Sequence, residues 1–119
     1  MDFEQLVVWQ YAKSLSVSLY IELADLRDFG FKDQITRAGL SVPSNIAEGM
    51  SRDSEKEKIR FLNIAKSSCS EVRTQIYIGI DIGFINAEVG QAWILETKRI
   101  ASMLSGLANK IKQDLNENH

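Results

Sequence analysis

Seven polar residues have the types and spacing to do chemistry together. Gln34, Arg37, Ser41, Ser44 and Glu48 recur at steps of three, four, three and four, which puts them on one stripe of a helix. Asn45 lies beside that stripe, and Glu71 lies further along the chain. One position round, Ile35, Ala38, Val42 and Ile46 repeat the same steps as an apolar stripe. A guanidinium, two carboxylates and two amides so placed can form a buried ion network with Arg37, Glu48 and Glu71 at its centre. Such a network fixes helix register, and removing one member costs ~3–5 kcal/mol because the other charge is stranded. The same groups admit a second reading, a ligand or phosphate pocket around Arg37. In principle the two carboxylates could also exchange protons with a substrate.

A second set is basic. Arg52, Lys56, Lys58, Arg60, Lys66 and Arg73 fall within residues 51–75 against four acidic residues, whereas the first 30 residues hold two basic against five acidic. The bland reading is a solvated helix face with intrahelical Glu–Lys pairs. The sharper one is a surface that contacts phosphates. No aromatic platform is evident among these residues, so base stacking is not expected.

Other chemistry lacks its residues. The single histidine, His119, and the single cysteine, Cys69, cannot build a zinc cluster. Serine without a histidine base excludes a Ser-His-Asp mechanism. Neither phosphate-cradling glycine loops nor Glu-x-x-His pairs occur. No enzyme, no cofactor and no metal are therefore expected, and Cys69 reads as an inert packing residue.

These sets must be positioned by helices. Val8, Ala12, Leu15, Leu19, Leu23 and Leu26 predict a first helix over residues 4–28, stopped near Gly30. The second spans 31–50, kinked at Pro43, with Gly49 at its end. Ser54-x-x-Glu57 fits a capping box opening a third helix over 54–84. Its seam is Leu62, Ala65, Cys69, Val72, Ile76, Gly79 and Gly83. The alternation from Ile76 to Ile82 is a strand signal, overridden because it continues that seam. Asn86 caps a fourth helix over 87–115, and the tail NENH is expected to fray. The 119 residues thus make one domain, an all-α up-down four-helix bundle.

The net charge of −2 gives no general pull toward nucleic acid or an anionic membrane. The uncharged run Ala38 to Ala47, which no other exceeds, is too short to span a bilayer, and MDFEQLVVW lacks the basic start of a signal peptide. With a lone cysteine, a cytoplasmic location is expected.

The stretch QITRAGLSVPSNIAEG, followed by RDSEKEKIRFLNIAKSSCSEV, resembles the signature of the 23S rRNA intervening-sequence protein family, also called four-helix-bundle proteins. The start, with Leu6 to Trp9, Ala12, Leu15 and Tyr20, is similar as well, so the likeness covers nearly the whole chain. It implies a left-handed antiparallel bundle that assembles as a ring-like homopentamer. A related branch implies binding of nucleic acid by a basic pentamer, from which this chain departs by its net acidic charge. The family's signature positions correspond to Gln34, Arg37, Ser41, Pro43, Asn45, Glu48, Gly49, Ser68 and Glu71, and no catalytic role attaches to them. The expectation is a non-enzymatic oligomeric scaffold associated with ribosomal RNA or another nucleoprotein. The alternative is a pentameric protein-interaction adaptor without nucleic-acid binding.

Overall fold

A computed structural model describes residues 2–117. They form four helices and no strand. After a 3-10 turn, Phe3–Gln5, come α1 (Val7–Glu22), α2 (Phe29–Met50), α3 (Glu55–Asp81) and α4 (Ala87–Glu117), in a body of 52 × 21 × 19 Å. Each helix packs on its neighbours in sequence, and α4 returns to α1. Between α2 and α3, and between α3 and α4, contact partners run in opposite order. Ser41 meets Ser68 while Gly49 meets Phe61, and Ile80 meets Gly90 while Arg73 meets Thr97. No helix among the described residues is long and apolar enough to cross a membrane.

Local chemistry sets most of the boundaries. The Ser54 hydroxyl accepts from the Glu57 amide at 3.3 Å, and the Asn86 side chain accepts from the amides of Glu88 and Val89. The reciprocal half of the capping box does not form, because the Glu57 carboxylate binds Arg60 instead. The helix expected over 4–28 ends at Glu22. Leu23 and Leu26 continue its apolar stripe but lie in tight turns, with Ala24 N–H bonded to the Ile21 carbonyl and Leu26 N–H to that of Leu23. Gly30 does not stop α1. Asp28 instead caps α2 by accepting from the Phe31 amide at 3.0 Å, which places Gly30 in the first turn of that helix.

Two other glycines also differ from expectation. Gly49 lies inside α2, buried against Phe61, and Ser51 caps the end. The third helix stops at Asp81 rather than near Phe84 because Gly83 takes φ +82°. Its amide bonds to the Ile80 carbonyl and the Phe84 amide to that of Gly79, a Schellman stop. The residues from Ile76 to Asp81 are helical despite their alternation. The tail runs helical through Glu117, and Asn118 and His119, part of the fraying expected there, lie outside the described residues.

The core is built largely from the predicted stripes of the first three helices, without Leu26 and Gly83, together with the inner face of α4. Leu19, Ile35, Ile46, Leu62, Ile76, Ile100 and Leu104 are fully buried, each contributing ~1.5–3 kcal/mol relative to exposure. The helix of α2 is unbroken across the buried Pro43. Proline has no N–H, so the Gly39 carbonyl loses its donor.

Candidate nucleic-acid interface and the polar stripe of α2

The stripe on α2 is real as a spacing, but most of it faces water. Gln34, Arg37, Ser44 and Glu48 are exposed, as is Glu71 on α3. Arg37, with its side chain 77% exposed, binds Asp33 at 2.9 Å, and Glu48 binds Arg52 at 2.5 Å. Each pair is spaced four residues apart, the first within α2 and the second from its last turn to the turn that follows, so the expected buried network of Arg37, Glu48 and Glu71 does not form. The reason is geometric. A stripe one residue away from the core stripe is turned ~100° from it, out to the flank of the helix.

What the stripe does contribute is a smaller uncharged cluster. The Ser41 and Ser68 hydroxyls meet at 2.9 Å between α2 and α3. The Asn45 amide donates to both the Ser41 carbonyl (2.8 Å) and its hydroxyl (2.9 Å). The Asn45 bond therefore goes to the Ser41 carbonyl, not to that of Gly39, where proline removes a donor. Gln34, Arg37, Glu48 and Glu71 make no side-chain bond between helices among the described residues. The register-fixing part of the seam thus reduces to Ser41, Asn45 and Ser68.

The basic residues divide into four settings. Lys56 and Lys66 are exposed on α3 with no ion-pair partner among the described residues. Arg52 and Arg60 flank one aromatic ring. Their guanidinium carbons lie 5.0 and 4.4 Å from the centroid of half-buried Phe61, while their nitrogens bind Glu48 and Glu57. The bond from Arg60 holds the Glu57 carboxyl below its ordinary value, and that carboxylate in turn raises Arg60. Lys58 reaches back to the Arg52 carbonyl, closing the turn between α2 and α3.

Arg73 stands apart. It is half-buried, and its Nε donates to the hydroxyl of fully buried Thr97 at 2.9 Å, while Thr97 itself donates to the Ile94 carbonyl. That side chain ties α3 to α4 and does not extend the basic surface. An aromatic ring does accompany the basic set, contrary to expectation. Phe61 follows Arg60 directly in sequence, a neighbour that was the available signal, and its ring is covered by the two arginines.

Cys69 is fully buried, and burial pushes its thiol from 9.0 up to about 11, the state of an inert packing residue. No group of three or more His, Cys, Asp or Glu side chains is gathered to hold a metal among the described residues. A cleft of about 610 Å³ is open and lies between the end of α1 and the start of α2, lined by Tyr20, Ala24, Phe29, Lys32, Asp33 and Thr36. It contains none of the stripe residues and none of the basic set of residues 51–75.

The fold has a solved counterpart. A crystal structure from Bacteroides thetaiotaomicron, described as a protein of unknown function from the S23 ribosomal protein family, superposes with a TM-score of 0.81. The two chains are 23% identical, over 86% of this chain and 98% of that one, a likeness that shows the fold alone. No curated protein matches the chain. The model of a family described as 23S rRNA-intervening sequence protein matches residues 4–106, and the chain belongs to that family.

Proposed function

We propose that this protein is a non-enzymatic scaffold that works as an assembly of identical bundles. In this reading each bundle is up-down and left-handed, the copies form a ring-like homopentamer in the cytoplasm, and the ring associates with RNA. The observation that carries it is the apolar surface of the single chain. Val17, Tyr20, Ile21 and Phe29 are 48–71% exposed near the α1–α2 turn, and Tyr77, Ile78 and Ile82 are 46–52% exposed near the end of α3. Apolar side chains grouped in this way favour coverage by another protein surface.

The RNA contact is supported by Lys56 and Lys66, which are exposed, and by the arginine pair on Phe61. A ring multiplies a modest patch by its number of copies. The absence of enzymatic chemistry is supported by the setting of Arg37 and Glu48. Both lie in water with a partner four residues away in the chain, whereas burial is what tunes a catalytic carboxylate.

A titration of the protein against ribosomal RNA fragments at two salt concentrations tests the reading. The expected outcome is micromolar or tighter binding that collapses at the higher salt and is lost in Lys56→Glu/Lys66→Glu. Absence of binding at low salt overturns the RNA contact. It leaves the second reading, a protein-interaction adaptor, which the net charge of −2 and the commitment of Arg52 and Arg60 to neighbouring carboxylates favour.

A further inference from the structure

One carboxylate is out of keeping with the rest. Among the described residues, Glu96 on α4 has the least exposed side chain of the ion-paired acids, 30% against 43–61%, and the poorest partner. It stands 3.9 Å from Arg99, beyond hydrogen-bond reach, whereas the other pairs close to 2.9 Å or less. A charge drawn partly out of water without a close partner is costly, so this setting favours a cation.

Glu96 lines a cleft of about 340 Å³ between α1 and α4. Tyr11, Ser14 and Ser18 recur on α1 at steps of three and four, and Val89, Trp93 and Glu96 recur on α4 at four and three. Each helix thus turns one stripe toward the other. Half-buried Tyr11 and buried Leu15 and Trp93 supply apolar walls, and no lysine or arginine lines the cleft. The Ser18 hydroxyl accepts the Trp93 indole N–H at 3.0 Å. The Tyr11 and Ser14 hydroxyls and the Glu96 carboxylate make no hydrogen bond among the described residues. Beside the cleft the Arg99 guanidinium lies 4.7 Å over the Tyr11 ring, a cation drawn to this ring and carboxylate without closing on Glu96.

We infer that the cleft binds a small organic amine as its ammonium ion, with the N–H groups on Glu96 and the free hydroxyls and the apolar body against Trp93 and Leu15. An ammonium has three donors and no acceptor, which matches one carboxylate and two hydroxyl oxygens. The volume is at the low end for small-molecule sites, so the ligand carries a single ring or a short aliphatic chain. The site uses none of the surfaces assigned above to self-assembly or to RNA, and it stands or falls separately from them.

Phenethylamine is the probe, with phenethyl alcohol as its uncharged counterpart. Each of the two tryptophans gives one indole N–H signal by NMR, and Trp9→Phe identifies which is which. Titration of the wild-type protein with the amine should move the Trp93 signal saturably, with a Kd below ~1 mM, and leave that of Trp9 in place. The alcohol should bind ~10-fold more weakly or worse. Glu96→Gln keeps the shape, removes the charge and should weaken the amine ~10-fold or more. Arg99→Ala removes the competing cation and should tighten binding, which a merely structural pair would not do. Backbone signals away from the cleft check that both variants fold. A Trp93 signal that does not move, an alcohol that binds as well as the amine, unchanged affinity in Glu96→Gln, or weaker binding in Arg99→Ala overturns the amine site.

Discussion

Where α3 meets α2, a Cβ on Gly49 would stand 2.8 Å from the Cβ of Phe61 and 3.3 Å from the Lys58 carbonyl, so the two helices touch almost backbone to backbone. Where α1 meets α4, a cleft of about 340 Å³ opens between Tyr11, Ser14, Ser18, Ala92, Trp93 and Glu96. The first seam is closed by a glycine and pinned by the bond between Ser41 and Ser68. The second is bridged by long side chains, with Trp93 Nε1 donating to Ser18 at 3.0 Å and Arg99 lying 4.7 Å over the Tyr11 ring. Close approach excludes water, and bridging tolerates it. Helices α2, α3 and α4 therefore form the dense part of the bundle, and α1 is the element held from its edges and expected to open first.

The difference can be broken at its densest point by ionising it. Cys69 sits on the inner face of α3, and burial holds its thiol protonated up to about 11. In the unfolded chain the thiol gives up its proton near 9.0. The folded state thus keeps a proton that the unfolded state has lost, and this contribution to stability falls as pH rises from about 9 to 11. The loss is expected to reach about 3 kcal/mol in urea unfolding. Cys69→Ala should show a flatter profile across that window; parallel loss in both proteins would place water at Cys69.

Gly49→Ala forces α2 and α3 apart and should cost about 2 kcal/mol, read as a drop in the urea midpoint. Ser41→Ala leaves the Ser68 hydroxyl without its partner in the same seam and should cost about 1 kcal/mol. A glycine in open space behaves in the opposite way. Nothing lies within 4 Å of a Cβ on Gly106, so Gly106→Ala should raise stability by about 0.7 kcal/mol through helix propensity alone. The smallest effect belongs to the loose seam. In Ser18→Ala water can enter the cleft to serve Trp93, so the cost should stay near 0.5 kcal/mol, with faster amide exchange confined to α1. A global loss of protection in that variant would put α1 in the dense part.

The four helices were legible because their apolar steps of three and four are long and uninterrupted. Ser54 and Asn86 were legible as caps because each stands directly before such a run. The end of α1 was not. Leu23 and Leu26 keep the helical period in a segment whose backbone has left the helix, and no glycine or proline marks the change. Gly30 and Gly49 were misplaced because a glycine near a boundary can be a stop, a first turn or a contact, and tertiary neighbours decide which. The α2 stripe was legible as a pattern but not by environment. Periodicity gives the angle between two stripes, yet whether a flank is covered depends on the neighbouring helix. Asp33 to Arg37 and Glu48 to Arg52 were readable from spacing alone as local pairs. The covering of Phe61 by two arginines needs the turn between α2 and α3, which brings Arg52 back beside the next helix.

Every ion pair among the described residues joins positions three or four apart on a single stretch of chain. Their charges therefore take no part in choosing which helix lies beside which. Outer charges can drift, reverse or disappear in descent while the architecture persists, which accords with a fold shared at 23% identity. The same separation makes ionic strength a clean experimental variable. Raising salt should loosen an encounter with a polyanion without dissolving the bundle that makes it, so a binding curve that collapses with salt reports on the surface rather than on unfolding.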